Sequence, residues 1–223
     1  MTTVVSTSVL SPSELVLLRG DVFADKGGML DKVALLDGQK DVSAKQLAHA
    51  LFAVALLANE EAGALHLEAR PKKALFGLRT VTSLFAVPVS ANVEWPAGSL
   101  EANILDAVNR RKGPEVVDVL ADVMVEDSSS PRLYLVQQLS AALAARGLLE
   151  IVTEKKLKIF SVNSFRLPEA TAAQAAAQPV EPLKQLLATC ERERPQVWKL
   201  MTDHINSAVT RRTEQSDNSS WND

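Results

Sequence analysis

The sequence predicts a mainly α fold, a single globular domain of packed helices with a projecting β-hairpin, and three observations carry that expectation. Helix-capping residues repeatedly precede apolar residues at helical spacing. Aromatics make up only 4% of the chain, and its alanine- and leucine-rich segments favour helix over strand. After Gly147 the apolar period switches from 3.6 to 2, the mark of a hairpin.

The first helix starts at Ser11-Pro12-Ser13-Glu14, where Ser11 caps, Pro12 opens the helix and Glu14 closes a capping box before Leu15 to Leu18. Turns at Asp25-Lys26-Gly27-Gly28 and Asp37-Gly38 bracket a mixed stretch. Ser43-Ala44-Lys45-Gln46 repeats the capping pattern and opens a helix through about Glu61, stopped by Gly63. This helix is apolar nearly all round, which predicts a place in the middle of the domain. Residues 64–68 and 84–89 read as short strands around the polar link Arg70-Pro71-Lys72-Lys73, and 93–98 as a loop. Ser99 caps a third helix that closes with Arg110, Arg111 and Lys112, where positive charge suits the helix C-terminus. Amphipathic helices follow over 115–125 and 132–146, the latter ended by Gly147. The hairpin is expected near 149–162, with its turn at Glu154-Lys155-Lys156.

The implied organisation is a flexible segment at 1–10 and a helical core over 11–168. An Ala/Pro linker at 169–182, a helical segment at 183–212 and a disordered tail at 213–223 follow. Leu51, Val54, Leu105, Leu120, Leu139 and Leu143 are expected to be buried together.

Several chemistries find no support. The single cysteine, Cys190, cannot form an intramolecular disulfide, so a reducing cytoplasmic compartment is the expectation, peripheral on the cytosolic face of a membrane if membrane-bound. It sits beside an apolar stripe that predicts a buried, inert thiol. His49, His66 and His204 lie far apart with no ligand-spaced partner, so no metal is expected, and His49 reads as a hydrogen-bonded core residue. No glycine loop for phosphates and no nucleophile elbow is present, and no cofactor is expected. A net charge of −3 gives no global field for nucleic acid.

Local positive charge remains. Arg70, Lys72, Lys73 and Arg79 cluster, with Arg132 as a further candidate for an anion or lipid headgroup. At the hairpin tip Lys155, Lys156, Leu157, Lys158, Ile159 and Phe160 place cationic and apolar groups side by side, which suits an anionic membrane or a second copy. Each charge run also fits an ordinary solvated surface.

The order of pieces resembles the Golgi phosphoprotein 3 family. The resemblance lies in Glu14-Leu-Val-Leu-Leu18, then Asp25-Lys26-Gly27 and an apolar helix running into Gly63-Ala-Leu-His-Leu-Glu68. It continues in Leu139 to Leu149, with Arg146-Gly147-Leu148-Leu149, and the hairpin Glu154 to Phe160. It implies a mostly helical, non-enzymatic peripheral membrane adaptor that binds phosphatidylinositol 4-phosphate and contacts tails of membrane glycosyltransferases. The places of that family's headgroup arginines fall near Ala48, Leu133 and Val136, with Arg132 one residue away. Two other classes stand beside it. One is a protein-binding or oligomeric scaffold without lipid. The other is a winged-helix nucleic-acid binder, for which the helix 132–146 offers only Gln137 and Gln138 as base-reading side chains.

Overall fold

A nearly fully buried helix, α2 (Ala44–Glu61), forms the middle of the molecule, as its all-round apolar sequence predicts, with Leu51 to Leu56 completely enclosed. The computed structural model describes residues 10–29, 31–38, 40–74, 79–89, 93–124, 130–156 and 160–219. Around α2 pack α1 (Pro12–Leu18), α3 (Leu100–Arg110), α5 (Pro131–Ala145), α7 (Glu181–Glu193) and α8 (Pro195–Ser219). α4 (Val116–Val123) lies between α3 and α8, and α6 (Glu169–Ala177) against α1. Among the described residues, three antiparallel two-stranded sheets accompany the helices: β1 (Val33–Ala34) with β2 (Asp41–Val42), β3 (Leu65–Ala74) with β4 (Arg79–Pro88), and β5 (Glu150–Lys156) with β6 (Phe160–Arg166). The architecture is mainly α with a β-hairpin, as expected.

Local chemistry explains the starts and stops. The Ser11 hydroxyl accepts from the Glu14 amide while Glu14 accepts from the Ser11 amide at 2.9 Å, a complete capping box. At α2 only half of the predicted box forms, because the Gln46 side chain turns away to bond the Asp25 amide and carboxylate instead. α5 ends in a left-handed Gly147 (φ 75°), and the Leu148 amide returns to the Leu143 carbonyl at 2.9 Å.

Five expectations need correction. The stretch Arg70 to Lys73, expected as a polar link between strands, is itself part of β3, paired along its length with β4 (Pro71 opposite Thr82, Lys72 opposite Val81). Pro71 is tolerated because β3 is an edge strand and its outer side needs no donor. The second hairpin spans Glu150 to Arg166, so Glu154, Lys155 and Lys156 are strand residues opposite Val162, Ser161 and Phe160. The expected Ala/Pro linker contains α6, which buries Thr171 and Ala175, since alanine is the strongest helix former. The expected tail continues α8 to Ser219. Leu105 is half-buried, while Leu51, Val54, Leu120, Leu139 and Leu143 are buried in one core. The expected flexible segment, apart from Leu10, lies outside the described residues.

Candidate functional site

Four of the predicted basic residues share the β3–β4 hairpin, where period-2 alternation sends Arg70 and Lys72 to one face and Lys73 to the other. Arg70 pairs with Glu68 at 2.5 Å and lies over the Phe85 ring, 5.9 Å from its centroid. Lys72 pairs with Glu115. Those two charges are therefore largely neutralised. Lys73 and Arg79 are exposed and make no ion pair among the described residues.

Arg132 lies elsewhere, at the start of α5, in a cleft of about 240 Å³ shared with Asp31, Lys32, Ala44, Leu133 and Thr213. On α8, Thr213 stands nine residues beyond His204, which faces the β3–β4 hairpin, a rise of about 14 Å. The five predicted anion-binding residues thus form two sites rather than one. The N-terminus of α2, a natural anion position, is already filled: Asp31 accepts from the Ser43 hydroxyl at 2.6 Å and from the Lys45 amide at 2.9 Å. The Ser43 hydrogen bond, with the Lys45 amide and the nearby Arg132 and Lys45 charges, holds the Asp31 carboxyl below its ordinary range. Lys32 pairs with Asp41 at 3.1 Å. One large apolar side chain stands in the open at its wall, Leu133 (38% exposed); Met29, 91% exposed in the turn before Asp31, is not among the residues that line the cleft.

At the second hairpin, Leu157, Lys158 and Ile159 lie outside the described residues, as do the side chains of Lys155, Lys156 and Phe160. The strands themselves are in register, Lys156 opposite Phe160, and β6 rests on α5.

Sequence reading missed a buried polar cluster, because only the tertiary fold joins its members. The Ser83 hydroxyl contacts both the Glu115 carboxylate and, at 3.1 Å, His204 Nε2, while the Val117 amide donates to His204 Nδ1 at 3.2 Å. The residue types suggest a hydrolytic triad, but the tautomer forbids it. With Nδ1 accepting from a backbone amide, the proton sits on Nε2, so the imidazole donates to Ser83 and cannot draw a proton from it. The Ser83 hydroxyl in turn donates a hydrogen bond to the Glu115 carboxylate, completing a structural chain. A second cluster clamps the α7–α8 junction to β3: Arg194 donates to Glu60 at 2.6 Å and to the Leu67 carbonyl at 2.9 Å. His49 Nε2 lies 3.0 Å from the Thr202 hydroxyl, and burial lowers the imidazole's pKa. Burial likewise pushes the Cys190 thiol up, as its apolar neighbours predict.

Among the described residues no helix is long and apolar enough to cross a membrane, and no group of three or more His, Cys, Asp or Glu could hold a metal ion. No family model matches the chain, and no curated protein matches it.

Proposed function

We propose that the chain is a non-enzymatic peripheral membrane adaptor of the kind its resemblance to the Golgi phosphoprotein 3 family implies, docking on anionic lipid and presenting membrane-protein tails as clients. The observation that carries this reading is the exposed Leu133 side chain beside Arg132 at one cleft. Apolar side chains that enter the acyl boundary beside cations that face the headgroups are what an anionic surface retains.

The same geometry argues for weak headgroup selectivity. Asp31 occupies the helix N-terminus, Asp41 neutralises Lys32, and Arg132 is the single arginine among the residues that line the cleft, so the described residues there offer no arginine pair to grip a phosphomonoester. Attraction then comes from dispersed charges, Lys73, Arg79, Arg132 and the hairpin lysines Lys155, Lys156 and Lys158, each worth roughly 1 kcal/mol near the surface. Flotation with vesicles of matched surface charge, with and without phosphatidylinositol 4-phosphate, tests this. Equal binding to both, fading from low to physiological salt, is the expected result. Selectivity that survives salt requires a dedicated headgroup pocket and refutes the dispersed-charge account. No binding to either vesicle refutes the membrane role in favour of a scaffold, a reading supported by Ile151, 59% exposed on a two-stranded hairpin.

A further inference from the structure

His204 lies on α8, only 9% exposed, at the point where that helix meets the start of α4 and the β3–β4 hairpin. Its two ring nitrogens are committed to different elements: Nδ1 accepts from the Val117 amide of α4, and Nε2–H donates to Ser83 of β4. We propose that His204 is a proton-operated latch, in which uptake of one proton at Nδ1 turns the Val117 contact from attraction to repulsion and lets α8 open from α4 and the hairpin.

The neutral ring fits because it offers one acceptor and one donor to one donor and one acceptor. The imidazolium has two donors, and its new Nδ1–H points at the Val117 N–H. Among the described residues, the charged groups around the ring already have partners of their own. Glu115, in the segment before α4, already holds the Ser83 hydroxyl and the Lys72 ammonium of β3. Asp118 of α4 is paired with Arg211 at 2.6 Å, and Asp203 of α8 with Lys199 at 2.6 Å. Glu115, Asp203 and Asp118 favour the charged ring at longer range, but burial and the Lys72 charge oppose it, and burial is the largest influence, so the imidazole's affinity for a proton is lowered. Protonation is therefore coupled to opening, since an exposed histidine takes up its proton near pH 6.5. Met201, Ile205, Ala208 and Val209 add a buried apolar seam between α8 and the core, beside the Arg211–Asp118 ion pair, the Arg212 bond to the Ala121 carbonyl and the Thr202 contact with His49.

Amide hydrogen exchange on the full chain from pH 7.5 to 5, corrected for intrinsic rates, reads the latch. The opening equilibrium at Val117 and along α8 is expected to rise with acid, approaching tenfold per pH unit below about pH 6.5. His204→Asn keeps a carbonyl oxygen for the Val117 amide and cannot take up a proton, so its rise with acid at Val117 is expected to be much shallower than that of the wild type. His49→Asn, which removes the imidazole that contacts Thr202 of α8, tests the other titrating contact, and the acid-driven rise at Val117 is expected to persist in it. An equal slope in His204→Asn and wild type overturns the proposal. If His204→Asn fails to fold, NMR titration of the wild-type ring decides: a His204 that charges while the Val117 amide stays protected also overturns it.

Discussion

Leu139 is 1% exposed on α5 within the main core, and its truncation measures what that core holds together. Leu139→Ala is expected to cost about 2–5 kcal/mol, the transfer free energy of the lost atoms plus the cavity left behind. Urea unfolding of the purified variant checks it, and a midpoint equal to wild type would show a site that collapses freely. At this scale the sequence is informative wherever the determinant is local. Ser11 and Glu14 announce their capping box because both partners sit within one helical turn. Leu105 misleads for the converse reason: its spacing fits the buried face of α3, yet it borders an open cleft beside Trp95 and stays half-exposed. Ser83, Glu115 and His204 carry no local sign at all, since 32 and 121 residues separate Ser83 from its two partners.

α6 shows why an element can be present where composition suggests a linker. The run from Ala172 to Ala177 has no amphipathic contrast to read, but alanine's high helix propensity forms the helix, and Thr171 and Ala175 anchor it beside α1. Arg19 adds a hydrogen bond to the Ala175 carbonyl at 3.4 Å. Ala175→Asp places a carboxylate against this apolar contact. Cleavage within 169–177 by an alanine-directed protease is expected to quicken roughly tenfold, equivalent to about 1.4 kcal/mol of local opening. Wild-type cleavage as fast as that of an unstructured peptide would restore the linker. β3 was cut short in sequence for a similar reason: Pro71 signals a break, and only its place on an outer edge makes it harmless.

For the molecule as a whole, the titrating groups set opposite slopes of stability against pH. Burial lowers the pKa of His49 and of His204, so between their folded values and about 6.5 the unfolded chain binds more protons. The stability they support is complete above pH 6.5 and is lost as the pH falls through that window. Asp31 and Asp122, lowered chiefly by hydrogen bonds from Ser43 and Arg111, act in the same direction further down, below about pH 4. Glu101 runs the other way. Burial raises its carboxyl against the Ser13 amide and hydroxyl, both at 2.7 Å, so its contribution is greatest at low pH and declines as the pH rises past about 4.3. Urea midpoints are therefore expected to fall between pH 7 and 5, and to fall less in a His49→Asn/His204→Asn variant. A steady or rising midpoint in wild type would contradict the histidine assignment. The mainly helical class and the central place of α2 were legible because they rest on composition and periodicity. The division of the basic residues between two sites was not, because it depends on which ends of α8 and α5 meet.

The second hairpin leaves and re-enters the helical body at one point. Ile151 and Phe165 are register partners, so their Cα atoms stand about 5 Å apart, and Glu150 pairs with Arg166 just beneath them. Topologically it is a detour between α5 and α6 that can be excised. Replacing residues 152 to 164 with Asn-Gly closes the two strands through the tightest favoured turn without moving either helix. The shortened protein is expected to keep its helical circular dichroism and cooperative unfolding while shedding Lys155, Lys156 and Lys158, which would separate what the hairpin does from what the body does. Loss of the fold on excision would instead make the hairpin an obligatory part of the scaffold.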